Sequence, residues 1–520
     1  MMSRPGRVAV ASSSRLAADA AAEIADLGGN AVDCAIAAAM VAMNTEPGVC
    51  SLAGGAYVTI WPAGEDPITV DGGVAVPGKE PGPGYDPDEG TPLHMDYGGG
   101  IDTIVGCRSV GVPGALRACE HAADRFGRIG WAPLLGPAIR ATRDGFPLPG
   151  ASHYYLEYSG VPVFCRSPDG EKALFRPGRH LRSAGDAIVV PGLADSLEAI
   201  ATEGARTFYE GELARRMVAH VRDGGGLLTT ADLAEFRPLE RPALTVTLGD
   251  WSVAVNPPPA VGGAVLAALL KLANARLSDN STGHEETADA IVTAQLAALQ
   301  FRRDRLDVVD DVSSEAEHLL RLAESGELLG PHMSSATVHT SAVDDSGLAC
   351  SITSSSGYGS GEIPPGTGLW LNNCIGELEL NRRGLEAGPP GARLPSNMTP
   401  GAARRDAAVL AFGSPGADRI TTALQQFLLF HLVLGENIVE ANARARVHVE
   451  VGGAAPAVSA EPGAEVGATD LPLKRYPTQN MYFGGVGAAA FDGHETLSAS
   501  ADPRRVGGTF VSTDRDPGND

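Results

Sequence analysis

Segments with helical periodicity are spread along the whole chain. Their apolar residues recur at spacings of three and four, which predicts helices, and these helices cover residues 15–27, 31–43, 115–126, 133–144, 193–203, 264–273, 287–303, 315–327 and 419–434. The helix over 31–43 is apolar nearly all round, and Asp33 is its single charge. A helix without a polar face is buried in a soluble protein, so we expect this one to lie in the core.

Short runs of β-branched and aromatic residues lie between the helices and predict strands. They cover residues 57–61, 68–71, 244–248 and 252–255. From Thr337 onward the polar residues His339 and Ser341 alternate with Val338, Thr340 and Ala342, and a period of two is typical of a strand. Residues 344–347 read DDSG, which has turn chemistry, and the chain then returns over 348–353. The sequence therefore predicts a hairpin that starts at Thr337.

Three segments show neither the helical spacing nor the strand period of two. Residues 78–100 are rich in proline, glycine and acids and are predicted to be a long, lid-like loop. Residues 454–470 read as an acidic loop of low complexity, and residues 514–520 as a frayed tail. The interleaving of strands and helices fits two packed sheets covered by helices, although the pattern alone leaves the order of the layers open.

Composition and charge narrow the function. The chain has 520 residues, of which 43% are hydrophobic, and its formal net charge is −23. This charge argues against nucleic acid or an anionic membrane as the main partner. We find no apolar run of the roughly 18 residues that a membrane helix needs and no apolar segment typical of a secretory signal. The expectation is a soluble, cytoplasmic protein.

The cysteines and histidines do not suggest a cofactor. The seven cysteines are an odd number and include no CxxC pair, which argues against a disulfide framework or a zinc site. The twelve histidines have no spacing typical of metal ligands. We therefore expect neither a metal nor another cofactor.

The start of the predicted hairpin carries the candidate chemistry. A threonine hydroxyl is a poor nucleophile, and one way to activate it is to free its own α-amine, which then acts as the base. For Thr337 this requires a cut between Ala336 and Thr337. The alternative is a structural threonine, and the pattern alone favours it because threonines that begin strands are common.

Residues 337–344, TVHTSAVD, followed by Gly347, resemble the processing-site motif of the γ-glutamyltranspeptidases, a family of N-terminal-nucleophile hydrolases. Other motifs of that family occur in the same order along most of the chain: GGNAVD at 28–33, SVGVPG at 109–114, RDGF at 143–146, FYEG at 208–211, NPPP at 256–259, LNN at 371–373, GSPG at 413–416 and ADPR at 501–504. The chain is therefore identified as a divergent member. The resemblance implies an α/β (α+β) fold with four αββα layers, in which helices cover two stacked sheets.

The resemblance also implies that the precursor cuts itself before Thr337. The products would be a large subunit, residues 1–336, and a small catalytic subunit, residues 337–520, which stay together as one globular unit. The Thr337 hydroxyl would attack the Ala336 carbonyl, and water would resolve the resulting ester. His339 is a second candidate for this processing step, and the alternative for it is a strand histidine satisfied by hydrogen bonds.

Further catalytic positions follow from the same resemblance. Ser355 lies at or near the second hydroxyl, which hydrogen-bonds the nucleophile, and the alternative is an ordinary serine-rich turn. Gly416 and Ala417 match the positions whose backbone N–H groups form the oxyanion hole. Ala417 replaces a usual glycine, and its backbone donor survives if the local dihedrals allow alanine. A phosphate loop is the rival interpretation here, but no Gly-Lys-Ser/Thr follows.

The carboxylate clamp of the family is missing. An arginine binds the glutamyl α-carboxylate there, and Gly73 falls at its position in this chain. Glycine cannot replace bidentate recognition by arginine. Arg143, Arg393 and Arg419 are candidate substitutes, and the sequence does not choose among them.

Other acyl-binding positions are kept but altered. Ser396 and Asn397 match two more carboxylate contacts, the second being changed from serine. Glu377 matches an acid that holds the α-amine of the substrate, and Cys374 replaces a polar contact. Each could also be ordinary loop chemistry. Together they indicate a retained acyl pocket with a changed preference.

Three functions follow. The first is an autoprocessed amidohydrolase or acyltransferase that takes a γ-glutamyl amide, such as glutathione, and passes the acyl group to water or an amine. The second, motivated by Gly73, is an acylase for a non-glutamyl amide, as in cephalosporin acylases or in specialised metabolism. The third is an unprocessed, inactive relative that acts as a binding or scaffold protein.

Overall fold

Two antiparallel sheets, stacked face to face, form the centre of the computed structural model, which describes residues 6–96, 100–277, 284–309, 311–325, 337–451 and 455–513. In chain order the strands are β1 (Val8–Ser12), β2 (Gly55–Trp61), β3 (Ile68–Gly72), β4 (Thr91–Met95), β5 (Ile101–Val105), β6 (Phe146–Pro147), β7 (Phe175–Arg176), β8 (His180–Leu181), β9 (Ala187–Ile188), β10 (Leu239–Pro242), β11 (Leu244–Leu248), β12 (Trp251–Val255), β13 (Val338–Asp344), β14 (Ala349–Ser355), β15 (Gly401–Arg405), β16 (Ala408–Gly413), β17 (Val447–Glu450), β18 (Ala457–Ala460), β19 (Leu473–Arg475), β20 (Gly487–Phe491), β21 (Leu497–Ala501) and β22 (Gly508–Val511).

The strand order interleaves the two halves of the chain. The first sheet has seven strands in the order β10-β3-β2-β14-β13-β1-β22, and the second has six in the order β11-β12-β15-β16-β20-β21. Strands from before and after residue 336 therefore pair within both sheets. The apolar residues buried between the sheets are mostly alanine, with a few larger ones such as Trp61, Val343 and Phe491.

Helices cover the two outer faces. They are α1 (Arg15–Asp26), α2 (Ala31–Thr45), α3 (Ala115–Phe126), α4 (Trp131–Asp144), α5 (Gly150–Ser159), α6 (Pro168–Leu174), α7 (Leu193–Glu203), α8 (Arg206–Tyr209), α9 (Glu212–Asp223), α10 (Thr230–Glu235), α11 (Val261–Leu277), α12 (His284–Phe301), α13 (Val312–Ser325), α14 (Arg419–Leu428) and α15 (Ile438–Ala443). One core cluster joins α1 to α10 with the first sheet, and a second joins α11 to α15 with the second sheet. The four-layer αββα fold is confirmed.

The predicted helices and the hairpin are confirmed with small shifts of their ends. Helix α2 is buried at every position, as its apolar sequence predicts. Strands β13 and β14 form the hairpin near the middle of the first sheet, and Val338 pairs with Ser354 at its open end. At the closed end Asp344 Oδ1 accepts the backbone N–H groups of Ser346 and Leu348.

Two segments predicted as loops contain strands. Within 78–100, β4 pairs with β5, and within 454–470, β18 pairs with β17 and β19. The pattern missed β4 because that strand is mostly exposed and mostly lacks the apolar alternation of a half-buried strand. It missed β18 because AVSA has little of the bulk that marks a strand. Residues 97–99, 454 and 514–520 lie outside the described part of the chain.

No helix in the described ranges is both long and apolar enough to cross a membrane.

Candidate active site

A pocket beside the open end of the β13–β14 hairpin contains Thr337. It encloses about 450 Å³ of empty space, part of which is open to solvent. Its lining residues are Val74, Thr337, Ser355, Cys374, Glu377, Leu380, Leu394, Pro395, Ser396, Asn397 and Met398. The residues predicted for catalysis and acyl binding are thus brought together, except for Gly73, Gly416 and Ala417. The apolar wall residues have no sequence signature of function, so sequence reasoning missed them.

Thr337 lies opposite Ser355. The antiparallel register pairs Val338 with Ser354, so the next residues outward, Thr337 and Ser355, face each other across the hairpin. Ser355 is also paired with Gly55 of β2, and its Oγ accepts the backbone N–H of Gly357 at 3.2 Å. The second hydroxyl is therefore held beside the candidate nucleophile by the sheet itself. Ala336 lies outside the described residues.

The candidate oxyanion loop connects β16 to the start of α14. Its residues Gly416 and Ala417 both have left-handed backbones, with φ of 121° and 66°. Within the described ranges, neither of their backbone N–H groups has a hydrogen-bond acceptor in the protein. The partial positive charge at the start of α14 adds to these donors. Both residues are outside the pocket lining, but the next residue, Asp418, accepts a hydrogen bond from Asn397 at 2.7 Å and so ties the loop to the pocket wall.

His339 lies in the layer between the two sheets and does not line the pocket. Its Nδ1 is 2.8 Å from Thr353 Oγ1, and its Nε2 is 2.7 Å from Ser341 Oγ. Burial lowers the pKa of His339 to about 3, so the ring is neutral. A Cβ on Gly413 would stand 2.2 Å from Cε1 of the ring. This environment is that of a strand histidine satisfied by hydrogen bonds.

At position 73, which matches the arginine of the resembled family, other side chains occupy the space. A Cβ on Gly73 would stand 2.6 Å from the hydroxyl of Tyr57 and 3.1 Å from Oδ1 of Asp71. Asp71 is fully buried, accepts the N–H of Gly73 at 2.9 Å, and forms an ion pair with Arg241 at 2.9 Å. Tyr57 and Asp71 therefore fill the space that a long side chain at position 73 would need.

Arg393 is the nearest candidate substitute along the chain, since Leu394 lines the pocket. Its Nε lies 3.4 Å from Oδ1 of Asp71, and its Nη2 donates to the carbonyl of Arg237 at 2.6 Å. The guanidinium also stacks on the ring of Phe236. Its charge is therefore directed to the buried Asp71 and away from the pocket.

The other two candidates are also engaged elsewhere. Arg419 donates from Nε to the carbonyl of Tyr482 at 3.1 Å and stacks on the ring of that tyrosine. Arg143 is on the exposed side of α4 and donates to Glu198 at 2.6 Å. No lysine or arginine of the described chain lines the pocket.

Asn397 is oriented by a buried ion pair. Its Nδ2 donates to Oδ1 of Asp418 at 2.7 Å, and the same oxygen accepts from Nη1 of Arg302 at 2.7 Å. Oδ1 of Asn397 is buried and has no hydrogen-bond partner among the described residues. The Oγ of Ser396 accepts the backbone N–H of Met398 at 3.2 Å. One N–H of the Asn397 amide is therefore committed to Asp418, and the amide oxygen is left as a buried acceptor.

Of the described residues that line the pocket, Glu377 is the only acid. Cys374 lies three residues before it, and burial, followed by the charge of Glu377, raises the pKa of this thiol well above its ordinary value. The thiol is therefore neutral near pH 7. The backbone N–H of Cys374 donates to Oδ1 of Asn372. The Nδ2 of Asn372 in turn donates to the carbonyls of Ala53 and Gly111. The LNN motif thus holds the loop that presents Cys374 and Glu377.

A separate cluster offers potential metal ligands. In the described ranges, Cys107, His220 and Glu362 form a group whose ligand atoms all lie within 4.8 Å of one another. Arg166 lies 3.4 Å from the carboxylate of Glu362, and burial raises the pKa of Cys107 to about 12. A protonated thiol and a guanidinium oppose a cation, so the cluster fits an ion-pair network better than a metal site. It shares no lining residue with the Thr337 pocket.

Comparison with known proteins shows the family of the chain. A family model described as gamma-glutamyltranspeptidase matches residues 17–512. A glutathione hydrolase proenzyme of Pseudomonas aeruginosa is 30% identical over 482 residues, covering 85% of this chain and 82% of that protein. The Acylase ACY 1 proenzyme of a Pseudomonas species is 28% identical over 515 residues, covering 94% and 90%.

A solved structure supports the fold. The crystal structure of cephalosporin acylase from Bacillus halodurans superposes with a TM-score of 0.77 at 23% identity and covers 99% of this chain and 98% of that chain. At this identity the likeness bears on the fold alone, and it agrees with the αββα layers described above.

Proposed function

Since the chain belongs to the γ-glutamyltranspeptidase family, we propose that it is an amidohydrolase or acyltransferase whose nucleophile is the hydroxyl of an N-terminal Thr337. One observation carries the proposal. Thr337 lies at the open end of the central hairpin, opposite Ser355, and lines a pocket together with the predicted acyl-binding residues. One of its relatives is named a glutathione hydrolase and another an acylase.

The active form is produced by one cleavage, which yields subunits 1–336 and 337–520. The Thr337 Oγ attacks the carbonyl carbon of Ala336, the C–N bond breaks, and the acyl group moves from nitrogen to oxygen. Water then hydrolyses the ester, which frees the hydroxyl and leaves an α-amine on Thr337. That relatives of this family are named proenzymes supports this order of events.

The freed amine then serves as the base. It takes the proton of the Thr337 hydroxyl while Oγ attacks the substrate amide carbon. The N–H groups of Gly416 and Ala417 stabilise the oxyanion, and one such donor is worth about 3–4 kcal/mol in other enzymes. The proton passes to the leaving amine, and an acyl ester remains on Thr337. Water or an amine resolves this ester, and a hydrogen bond from Ser355 orients the nucleophile in both steps.

Two classes of acyl donor are candidates. The family default is a γ-glutamyl amide such as glutathione. The second is a non-glutamyl amide. The pocket favours it, because none of the described lining residues is a lysine or arginine and position 73 has no space for the arginine of the family. An isolated carboxylate is costly to bury without a partner.

Kinetic comparison of variants tests the proposal. We expect the purified protein to cleave at least one aryl amide from a panel of γ-glutamyl, glutaryl and uncharged acyl groups. Thr337→Ala removes the nucleophile and lowers kcat by at least about 10³-fold, while Thr337→Ser keeps a measurable rate. Thr202→Ala, on the exposed side of α7, serves as the control and changes nothing. Equal rates for Thr337→Ala and wild type would contradict the mechanism. A wild-type chain that is uncleaved and inactive would support the scaffold alternative.

A further inference from the structure

We propose that the acyl pocket accepts a chain that ends in an ammonium group and carries no carboxylate. The simplest such group is 4-aminobutyryl, which is the γ-glutamyl group without its α-carboxylate. The inference rests on the proposed function, because it names the acyl group that Thr337 takes up.

The charge of the pocket is the first argument. Among the described residues that line the pocket, Glu377 is the one charged side chain, and none of them is a lysine or arginine. The internal stretches that the structure does not describe, residues 97–99, 278–283, 310, 326–336 and 452–454, also contain no lysine or arginine. A substrate carboxylate in this pocket would lie near the carboxylate of Glu377 and would find no lysine or arginine among the described lining residues. A substrate ammonium would find an opposite charge in the same place.

The orientation of Asn397 is the second, independent argument. Asp418 is held by Arg302 in a buried ion pair, and an ionised carboxylate can only accept hydrogen bonds. The nitrogen of the Asn397 amide must therefore point at Asp418, as it does at 2.7 Å. Asn397 lines the pocket, and the oxygen of its amide is buried without a partner among the described residues. This oxygen accepts a hydrogen bond from an ammonium group and repels a carboxylate.

The third argument concerns compensation. A carboxylate-binding pocket that had lost its arginine could regain a cation from a neighbouring position. Here Tyr57 and Asp71 close position 73, and Asp71 also draws the guanidinium of Arg393 away from the pocket. The packing around position 73 therefore leaves no room for an arginine there and holds Arg393 elsewhere.

The remaining walls suit the methylene chain between the ammonium group and the reacting carbonyl. They consist mainly of apolar side chains, namely Val74, Leu380, Leu394, Pro395 and Met398. Such walls stabilise an unbranched aliphatic chain by burying it and offer nothing to a second polar group.

Four p-nitroanilides separate the alternatives: 4-aminobutyryl, butyryl, γ-glutamyl and glutaryl. On the processed protein near neutral pH, we expect kcat/KM to be highest for the 4-aminobutyryl compound, by at least about tenfold over each of the others, because charge-assisted hydrogen bonds are worth this much or more. Glu377→Gln should remove most of the advantage over the butyryl compound. Glu386→Gln, an exposed acid of the same segment, is the control and should leave the ratio unchanged.

Each result decides the inference. A γ-glutamyl or glutaryl preference overturns it, and so does a Glu377→Gln variant with an unchanged ratio of 4-aminobutyryl to butyryl rates. A processed protein that does not cleave the 4-aminobutyryl compound overturns it whatever the other three do. The proposed function fails in a different way, when the chain stays in one piece or Thr337→Ala matches the wild type on every anilide.

Discussion

Thr337 and Ser355 face each other across the open end of the β13–β14 hairpin, one position beyond the pair formed by Val338 and Ser354. On its other side Ser355 pairs with Gly55 of β2, whereas the pairing of β13 with β1 ends at Thr340. The sheet therefore holds Ser355 from β2 and holds Thr337 through the hairpin register. The candidate nucleophile thus lies directly before a central strand of the sheet, and such an element places a side chain more precisely than a loop does.

Removal of the Ser355 hydroxyl should impair orientation more than substrate binding. We expect Ser355→Ala to lower kcat by about 10–100-fold and to leave KM within a few-fold, with Ser355→Thr restoring part of the rate. Steady-state kinetics on the preferred anilide measure both parameters. A purely structural role would instead lower the free energy of unfolding and leave kcat per folded molecule unchanged.

Ala417 should be replaceable by glycine. At φ of 66° an L-residue is strained by about 1–2 kcal/mol relative to glycine, and loss of the buried methyl group costs about 0.8 kcal/mol. We therefore expect Ala417→Gly to change stability by less than about 1 kcal/mol and kcat by less than about threefold, because the backbone donor remains. Kinetics and urea unfolding check both. A tenfold loss of kcat would show that the methyl group itself positions the loop.

Gly413 and His339 should be energetically coupled. A Cβ at position 413 would overlap the imidazole, so we expect Gly413→Ala to destabilise the fold by about 1–3 kcal/mol or more. In the double variant with His339→Ala, the added methyl group enters vacated space, and the combined loss should be smaller than the sum of the single losses. Urea unfolding in the single-chain Thr337→Ala background measures these values.

The matched control is Gly136→Ala in helix α4, where an added Cβ meets only the far end of Arg140 at 3.4 Å. It should be neutral or stabilise by up to about 1 kcal/mol. Additive losses in the double variant of Gly413 and His339 would contradict the contact.

The neutral state of His339 predicts a pH dependence of stability. Its pKa in the folded protein lies near 3, against an ordinary value of 6.5. Below pH 6.5 His339 binds a proton in the unfolded chain but not in the folded chain. The contribution of His339 to the free energy of unfolding therefore falls as the pH drops from 6.5 toward 3, by up to about 1.4 kcal/mol per pH unit. Above pH 6.5 it is constant.

His339→Gln isolates this effect. Burial raises the pKa of Glu46 to about 7 and that of Glu379 to about 8, so the contribution of these two acids to stability grows as the pH falls. It is the same in wild type and variant and cancels in their difference. The difference in unfolding free energy between the two proteins, measured by urea titration from neutral pH to pH 5 in the Thr337→Ala background, should therefore shrink as the pH falls. A difference independent of pH would mean that His339 has the same pKa in the folded and the unfolded chain.

Much of the fold could be predicted from the sequence. The helices are recognisable from the helical periodicity of their apolar residues and from the residues that end them, such as Gly28 after α1, whose φ is 90°. The strands β15 (GAARR), β16 (AVLAFG) and β20 (GAAAF) could not be predicted, because they consist largely of alanine and glycine. Their small side chains are needed where two sheets lie close together, and this requirement belongs to the tertiary structure rather than to the local sequence.

The residues of the candidate site were predictable by resemblance, and their environment was not. The motif GSPG marks the loop before α14, and the first residue of the hairpin marks Thr337. The direction of the Asn397 amide depends on Asp418 and Arg302, which lie far apart in sequence. The closure of position 73 depends on Tyr57. The catalytic roles, the two subunits and a cytoplasmic location stay predictions.

The central claim is that the chain breaks itself before Thr337, and the intact mass of the purified protein tests it most directly. After incubation under folding conditions, mass spectrometry should find two polypeptides, residues 1–336 and residues 337–520, the second beginning with threonine, in place of the 53.5 kDa chain. Thr337→Ala should remain whole under the same conditions. A wild-type chain that keeps its full mass, or a Thr337→Ala chain cleaved at the same bond, would contradict the account.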